Sequence, residues 1–150
     1  MKHRISAGVL AMRGDEILLV RHFRPGKHDF WAGPGGGVEG SEELAEAAER
    51  EAFEETRLRV ATSSLAYIDE LVDGWGRVVK FWFLAEYVSG EIDVTRNPAS
   101  GEAISEAGWF GQNTLPKGHV FPEILRDRFW EDRHTGFPAP IKLPLRTSIF

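Results

Sequence analysis

Glu51, Glu54 and Glu55 stand at i, i+3 and i+4 near the end of a segment rich in alanine and glutamate. On a helix that spacing brings three carboxylates together. Like charges so placed repel one another, so the fold must bring cations to this one spot. A fixed acidic cluster of this kind suggests a metal site, and one suited to phosphates. The segment follows the glycine cluster Gly33-Pro34-Gly35-Gly36-Gly37, and Ser41–Thr56 is predicted to be helical. Ser41 can cap the helix, and Glu42 and Glu43 complement its dipole in the first turn.

At about 100° per residue, Leu44, Ala48 and Ala52 form a core-facing stripe, and Glu51 and Glu55 continue it. Glu54 lies to one side. Glu42, Glu46, Glu49 and Arg50 point broadly the other way, where a solvated acidic face is expected. Carboxylates that follow an inward stripe need a partner or a metal. Oxygen donors without a cysteine or a histidine cluster suit Mg²⁺, with Mn²⁺ able to substitute. A structural ion-pair network is the alternative that helix geometry leaves open.

The rest of the chain supplies a frame. Its 150 residues suit one domain over residues 1–150, with residues 134–150 as an extended tail. Ile5–Met12, Glu16–Phe23, Leu58–Val72, Arg77–Val88 and Ile104–Phe110 read as strands, with Gly14-Asp15 and Asp73–Gly76 as turns. Glu91–Gly101 is loop-like, and Pro122 opens a last helix over PEILRDRFWEDRH. After Gly136 three prolines make the tail extended or irregular, able to cover its own body or to swap onto a partner. Strands mixed with a central and a late helix imply an α/β (α+β) sandwich.

Composition narrows function. The net charge of -5 disfavours binding to a nucleic-acid polymer, but a bound cation can reverse the local sign for a small anion. The absence of cysteine excludes disulfides, thiolate metal sites and cysteine nucleophiles. No signal peptide or membrane-length apolar run is visible, so a cytoplasmic location without membrane association is expected.

The acidic segment reads G36-x5-E42-x7-R50-E51-A52-x-E54-E55-x-R57-L58. It resembles the Nudix box, G-x5-E-x7-R-E-U-x-E-E-x-G-U, where U is apolar. WAGPGG before it and EAGWF after the later strands resemble family sequence too, and the strand order extends the likeness to most of the chain. The resemblance implies an α/β/α sandwich with a mixed sheet and a central carboxylate-bearing helix. It also implies metal-dependent hydrolysis of the pyrophosphate bond of a nucleoside diphosphate linked to another moiety. Glu51, Glu54 and Glu55 would bind metal with the Gly36 carbonyl, Arg50 would orient the glutamates, and Glu42 would frame the loop–helix. Repulsion within a metal-free cluster would raise one glutamate pKa, and Glu54 is the first choice of general base. Glu102 or Glu106 from a later loop could add a ligand or base, with Glu102 ahead. Two positions depart from the pattern. Arg57 replaces a glycine that would end the helix with positive φ, and Ser41 stands where glycine is common.

Arg21, Arg24, Trp31 and Trp75 are the chosen substrate contacts, for phosphates and for base stacking. Lys27, His28, Phe23, Phe30 and Trp82 are weaker candidates. Nucleoside triphosphates are slightly favoured, ADP-ribose or nucleotide sugars come next, and diadenosine polyphosphates remain. A non-catalytic nucleotide-binding module is the reading from another class, and the intact carboxylates oppose it. Isopentenyl diphosphate isomerisation is set aside for want of a cysteine. Phe53, facing away from the core stripe, suggests packing under a loop or the tail, or a homodimer contact.

Overall fold

A computed structural model describes residues 1–99, 101 and 103–150. The strands are β1 (Lys2–Arg13), β2 (Glu16–Arg24), β3 (His28–Ala32), β4 (Gly35–Gly37), β5 (Arg59–Val72), β6 (Gly76–Ser89), β7 (Ile104–Phe110), β8 (Val120–Phe121), β9 (Ile141–Lys142) and β10 (Arg146–Thr147). The helices are α1 (Leu44–Thr56) and α2 (Arg128–Thr135).

One mixed sheet carries the order β10-β5-β6-β1-β2-β3-β8. The central strand β1 pairs in parallel with β6 from Lys2 to Met12. Its other edge is divided: Ser6–Gly8 pairs with β4, and Met12–Arg13 pairs with β2. The sheet therefore splays along β1, and a cleft opens between its two wings.

Strand alternation places residues of opposite parity on two cores. Ala7, Val9, Ala11 and Leu18 pack with Ala47, Ala48 and Ala52 of α1. Leu10, Met12, Ile17 and Leu19 pack with Tyr67, Trp82, Leu125 and Phe129 on the α2 side. The small residues of α1 let the helix approach the sheet closely, which carries its carboxylates toward the glycine cluster. On the other face, the Tyr67 hydroxyl donates to Asp132 at 2.6 Å and ties α2 to β5.

Several expectations change. α1 begins at Leu44 rather than Ser41, with Glu43 as cap residue, and Glu46 accepts from the Glu43 N–H at 3.1 Å. Residues before it are held in a turn, where the Glu42 N–H donates to the Glu39 carbonyl. The last helix is split. Glu123–Arg126 forms a 3₁₀ turn, and Asp127, at φ -143° and ψ -80°, breaks it from α2. The Glu91–Gly101 stretch contains a 3₁₀ turn at Val94–Arg96, capped by Asp93. The tail is more ordered than its prolines suggest, because β9 and β10 both join β5 in parallel.

Candidate functional site

The glycine cluster and α1 meet on the floor of the cleft. Glu51 is 6% exposed and Glu55 is fully buried, as their place on the wheel requires. The Gly35 N–H donates to Glu55 Oε2 at 3.3 Å. Glu51 Oε2 is buried without a hydrogen-bond partner among the described residues. A Cβ placed on Gly36 would lie 2.6 Å from Glu51 Cδ and Oε1, so only glycine lets this backbone meet that carboxylate.

Arg50 ties the cluster together, so it does not point away with the solvated acids. Its Nη1 donates to Glu51 Oε1 and Glu54 Oε2, each at 3.1 Å. Its Nε and Nη2 donate to Glu42 at 3.1 and 2.7 Å, and Nη2 also donates to the Gly37 carbonyl. The fork's hydrogen bonds hold the Glu42 carboxyl below its ordinary range and push the guanidinium pKa upward. Two further acids leave the expected surface role. Glu42 belongs to this network, and Glu49 accepts from the Thr62 N–H and hydroxyl at 2.8 and 2.7 Å.

Arg57 ends α1 in the left-handed region at φ 65°, the conformation the missing glycine would have taken. The helix geometry is kept despite the side chain. Arg57 donates to the Arg96 carbonyl, and its guanidinium stands 4.9 Å from the Phe53 ring centroid. Arg59 approaches the same ring at 4.4 Å, so two guanidiniums cover Phe53.

These residues fit a hard divalent cation. The donors are oxygens, one buried carboxylate oxygen lacks a hydrogen bond, and the Gly36 backbone closes on that carboxylate. With Arg50 engaging Glu51 and Glu54, no three acidic or histidine side chains converge as a ligand set among the described residues.

The cleft has a volume of about 800 Å³. Arg4, Ser6 and Lys80 line one wing, His22, Phe30 and Ala32 the other, with Gly36 and Glu51 at its acidic end and Phe121 and Phe150 at its aromatic end. Lys80 carries its ammonium 4.2 Å from the Trp82 ring centroid. Burial pushes that ammonium's pKa down, against the opposing pull of Glu55, Asp69 and Glu51. His22 stacks on Phe30 at 4.7 Å, and burial lowers its pKa to about 4.

None of the four chosen substrate contacts lines this cleft. Arg21 is engaged by Asp29 through two bonds and by Glu106 through one. Arg24 donates to the Gly101 carbonyl. Trp31 packs edge-on against Phe110 in the α2-side core. Trp75 is 48% exposed in the β5–β6 turn, beside Lys2. Glu106 belongs to the Arg21 network, and Glu102 lies outside the described residues.

Sequence reasoning does not single out Lys80, Arg4, His22, Phe121 or Phe150 as cleft residues. Lys80 had a readable signal, a single cation inside the apolar run VVKFWFL. Phe150 had none, because its place depends on the tail crossing the cleft.

A family model described as NUDIX domain matches residues 2–128. The NAD-capped RNA hydrolase NudC of Chromobacterium violaceum is 38% identical over 110 residues, 72% of this chain and 38% of that protein. The 8-oxo-dGDP phosphatase NUDT18 of Homo sapiens is 30% identical over 102 residues, 68% of this chain and 30% of that protein. The chain thus spans less than half the length of these curated relatives. A crystal structure of a NUDIX hydrolase from Nitrosomonas europaea superposes with a TM-score of 0.74 at 21% identity, over 97% of this chain and 79% of that one, and shares the fold.

Proposed function

The chain belongs to the NUDIX family, and from that premise we propose that it hydrolyses the pyrophosphate bond of a nucleoside diphosphate linked to another moiety. The buried Glu51 beside Gly36, joined through Arg50 to Glu54, and the buried Glu55 on the Gly35 N–H carry this reading.

Glu51, Glu54, Glu55 and the Gly36 carbonyl would hold Mg²⁺, or Mn²⁺ in its place. That ion would polarise phosphoryl oxygens and lower the pKa of water. Arg50 positions Glu51 and Glu54 and is anchored on Glu42. Glu54, with its side chain 25% exposed, is the carboxylate that water reaches, and it takes the proton from the attacking water. Arg4 and Lys80 line the same cleft as Gly36 and Glu51, and the Arg4 guanidinium would attract the substrate's phosphates.

A nucleoside triphosphate is the first substrate to test. ADP-ribose or a dinucleotide is the second, supported by the cleft's volume and by the relative named as an NAD-capped RNA hydrolase. A panel of nucleotides incubated with Mg²⁺, with products identified by chromatography, decides the matter. Nucleoside monophosphate with pyrophosphate supports the first substrate, and AMP from ADP-ribose supports the second. No turnover across the panel overturns the hydrolase reading.

A further inference from the structure

The aromatic end of the cleft is a cup of four rings, and Phe150 fills it. Phe30 stacks on the Phe150 ring with centroids 5.3 Å apart and planes at 27°. His119 and Phe121 stand edge-on to it at 5.4 and 6.3 Å, and His28 does so at 6.2 Å. The cup belongs to β3 and the chain around β8. Phe150 arrives from the opposite wing, where the Ser148 N–H donates to Val72 of β5 at 2.9 Å. The tail therefore crosses the mouth of the cleft within a few residues.

Phe150 is loosely held. It remains 51% exposed despite its four ring neighbours. Its backbone N–H and carbonyl bond to the Ser148 hydroxyl, within the tail itself. Ring contacts alone attach it to the cup among the described residues, and such contacts are individually weak and exchangeable. The walls are built for a planar guest. His22 backs Phe30, and its depressed pKa keeps it uncharged at neutral pH. His28 and His119 add imidazole edges able to hydrogen-bond a heterocycle.

We infer that this cup is the nucleobase subsite and that Phe150 is a built-in occupant which the substrate's base displaces. The inference rests on the proposed nucleotide substrate and deepens it. The same cleft has the Glu51–Gly36 end for phosphates and the ring cup for the base. Displacing a stacked ring reduces apparent affinity by the fraction of molecules whose cup is closed. For one aromatic contact set, that amounts to about threefold to tenfold.

The test is calorimetric binding of an α,β-methylene nucleoside diphosphate with Mg²⁺. A base-free probe, the same methylene diphosphate on ribose, is run beside it. Phe150→Ala should bind the nucleotide about threefold to tenfold tighter than the unmodified chain and leave the base-free probe unchanged. Phe30→Ala should weaken the nucleotide alone. The inference is overturned if Phe150→Ala leaves nucleotide affinity equal or weaker, or moves both probes equally. It is overturned too if no protein binds the nucleotide saturably. Turnover of unmodified nucleotides reports separately on the hydrolase reading. Flat affinities with turnover sink only the subsite. The predicted affinity changes without turnover sink only the hydrolase.

Discussion

Gly36→Ala separates the site from the fold. Gly36 lies outside the positive-φ glycines, so alanine introduces no backbone strain there. The new Cβ would meet Glu51 Cδ at 2.6 Å, and a relaxed carbon–carbon contact of about 3.5 Å requires a shift of about 0.9 Å. The atoms that must move are the far end of a flexible side chain, so stability should change by less than about 1 kcal/mol. Activity should change much more. A misplacement on the order of 1 Å in a catalytic array costs about 100-fold, or roughly 2.7 kcal/mol of barrier. Urea unfolding, steady-state hydrolysis of the best panel substrate and Mn²⁺ binding by electron paramagnetic resonance would be measured together. Gly74→Ala is the control, because nothing lies within 4 Å of its added Cβ. Gly36→Ala should unfold near the parent midpoint, lose about 100-fold in kcat/KM and bind Mn²⁺ more weakly. A folded variant with parental turnover and Mn²⁺ affinity would refute the placement of Glu51 and Gly36 in one ligand set.

Arg50→Met should lower kcat at least about 100-fold and destabilise the fold by about 2–3 kcal/mol, because it strands buried Glu51 and frees Glu42. It should also flatten the acid limb of the stability profile. The folded Glu42 pKa is depressed, so its contribution is present above 4.5 and fades as pH falls through the folded value. A parental slope below 4.5 in urea-midpoint measurements would count against this. His22 works in a higher window. Its folded pKa of about 4 lies below the ordinary 6.5, so stability is full above 6.5 and declines as pH falls toward 4. His22→Phe should remove that decline in the same urea series. At the helix end, Arg57→Ala keeps the left-handed φ and loses both the Phe53 and Arg96 contacts, whereas Arg57→Gly relieves the strain. Thermal melts should rank glycine above alanine, and the reverse order would show that strain is not the controlling factor.

The parts of the fold visible in the sequence are those set by local rules. The β1–β2 hairpin is marked by Gly14-Asp15, and the observed pairing of Arg13 with Glu16 closes that two-residue loop. The burial of Glu51 and Glu55 follows from helical periodicity alone. The errors arise where a distant residue outcompetes a local preference. Ser41 is a good cap by type, but the Arg50 fork binds Glu42 and holds the chain in a turn until Glu43. The same reach explains why the helical wheel puts Arg50 on the wrong side. A wheel describes where a Cβ starts, and a long guanidinium stem returns to Glu51 and Glu54.

The substrate contacts expose a different limit. Phe30 and Trp31 are adjacent in β3, so alternation sends one to the cleft and the other to the α2-side core. The sequence shows that they must face opposite ways and does not show which face is open. That depends on β1 giving part of its edge to β4 at Ser6–Gly8, a long-range pairing with no local mark. The arginines fail for a related reason. Arg21 and Arg24 have the charge to meet phosphates, but Asp29, Glu106 and the Gly101 carbonyl meet them first. The carboxylate cluster is legible because its residues share one helix and its spacing is its geometry. The aromatic end is not, because Phe30, Phe121 and Phe150 come from three distant segments, and Phe150 reaches the other two only through the tail's pairing with β5. On the proposed reading, variation at the aromatic end would change the group attached to the diphosphate without touching Glu51, Glu54 or Glu55.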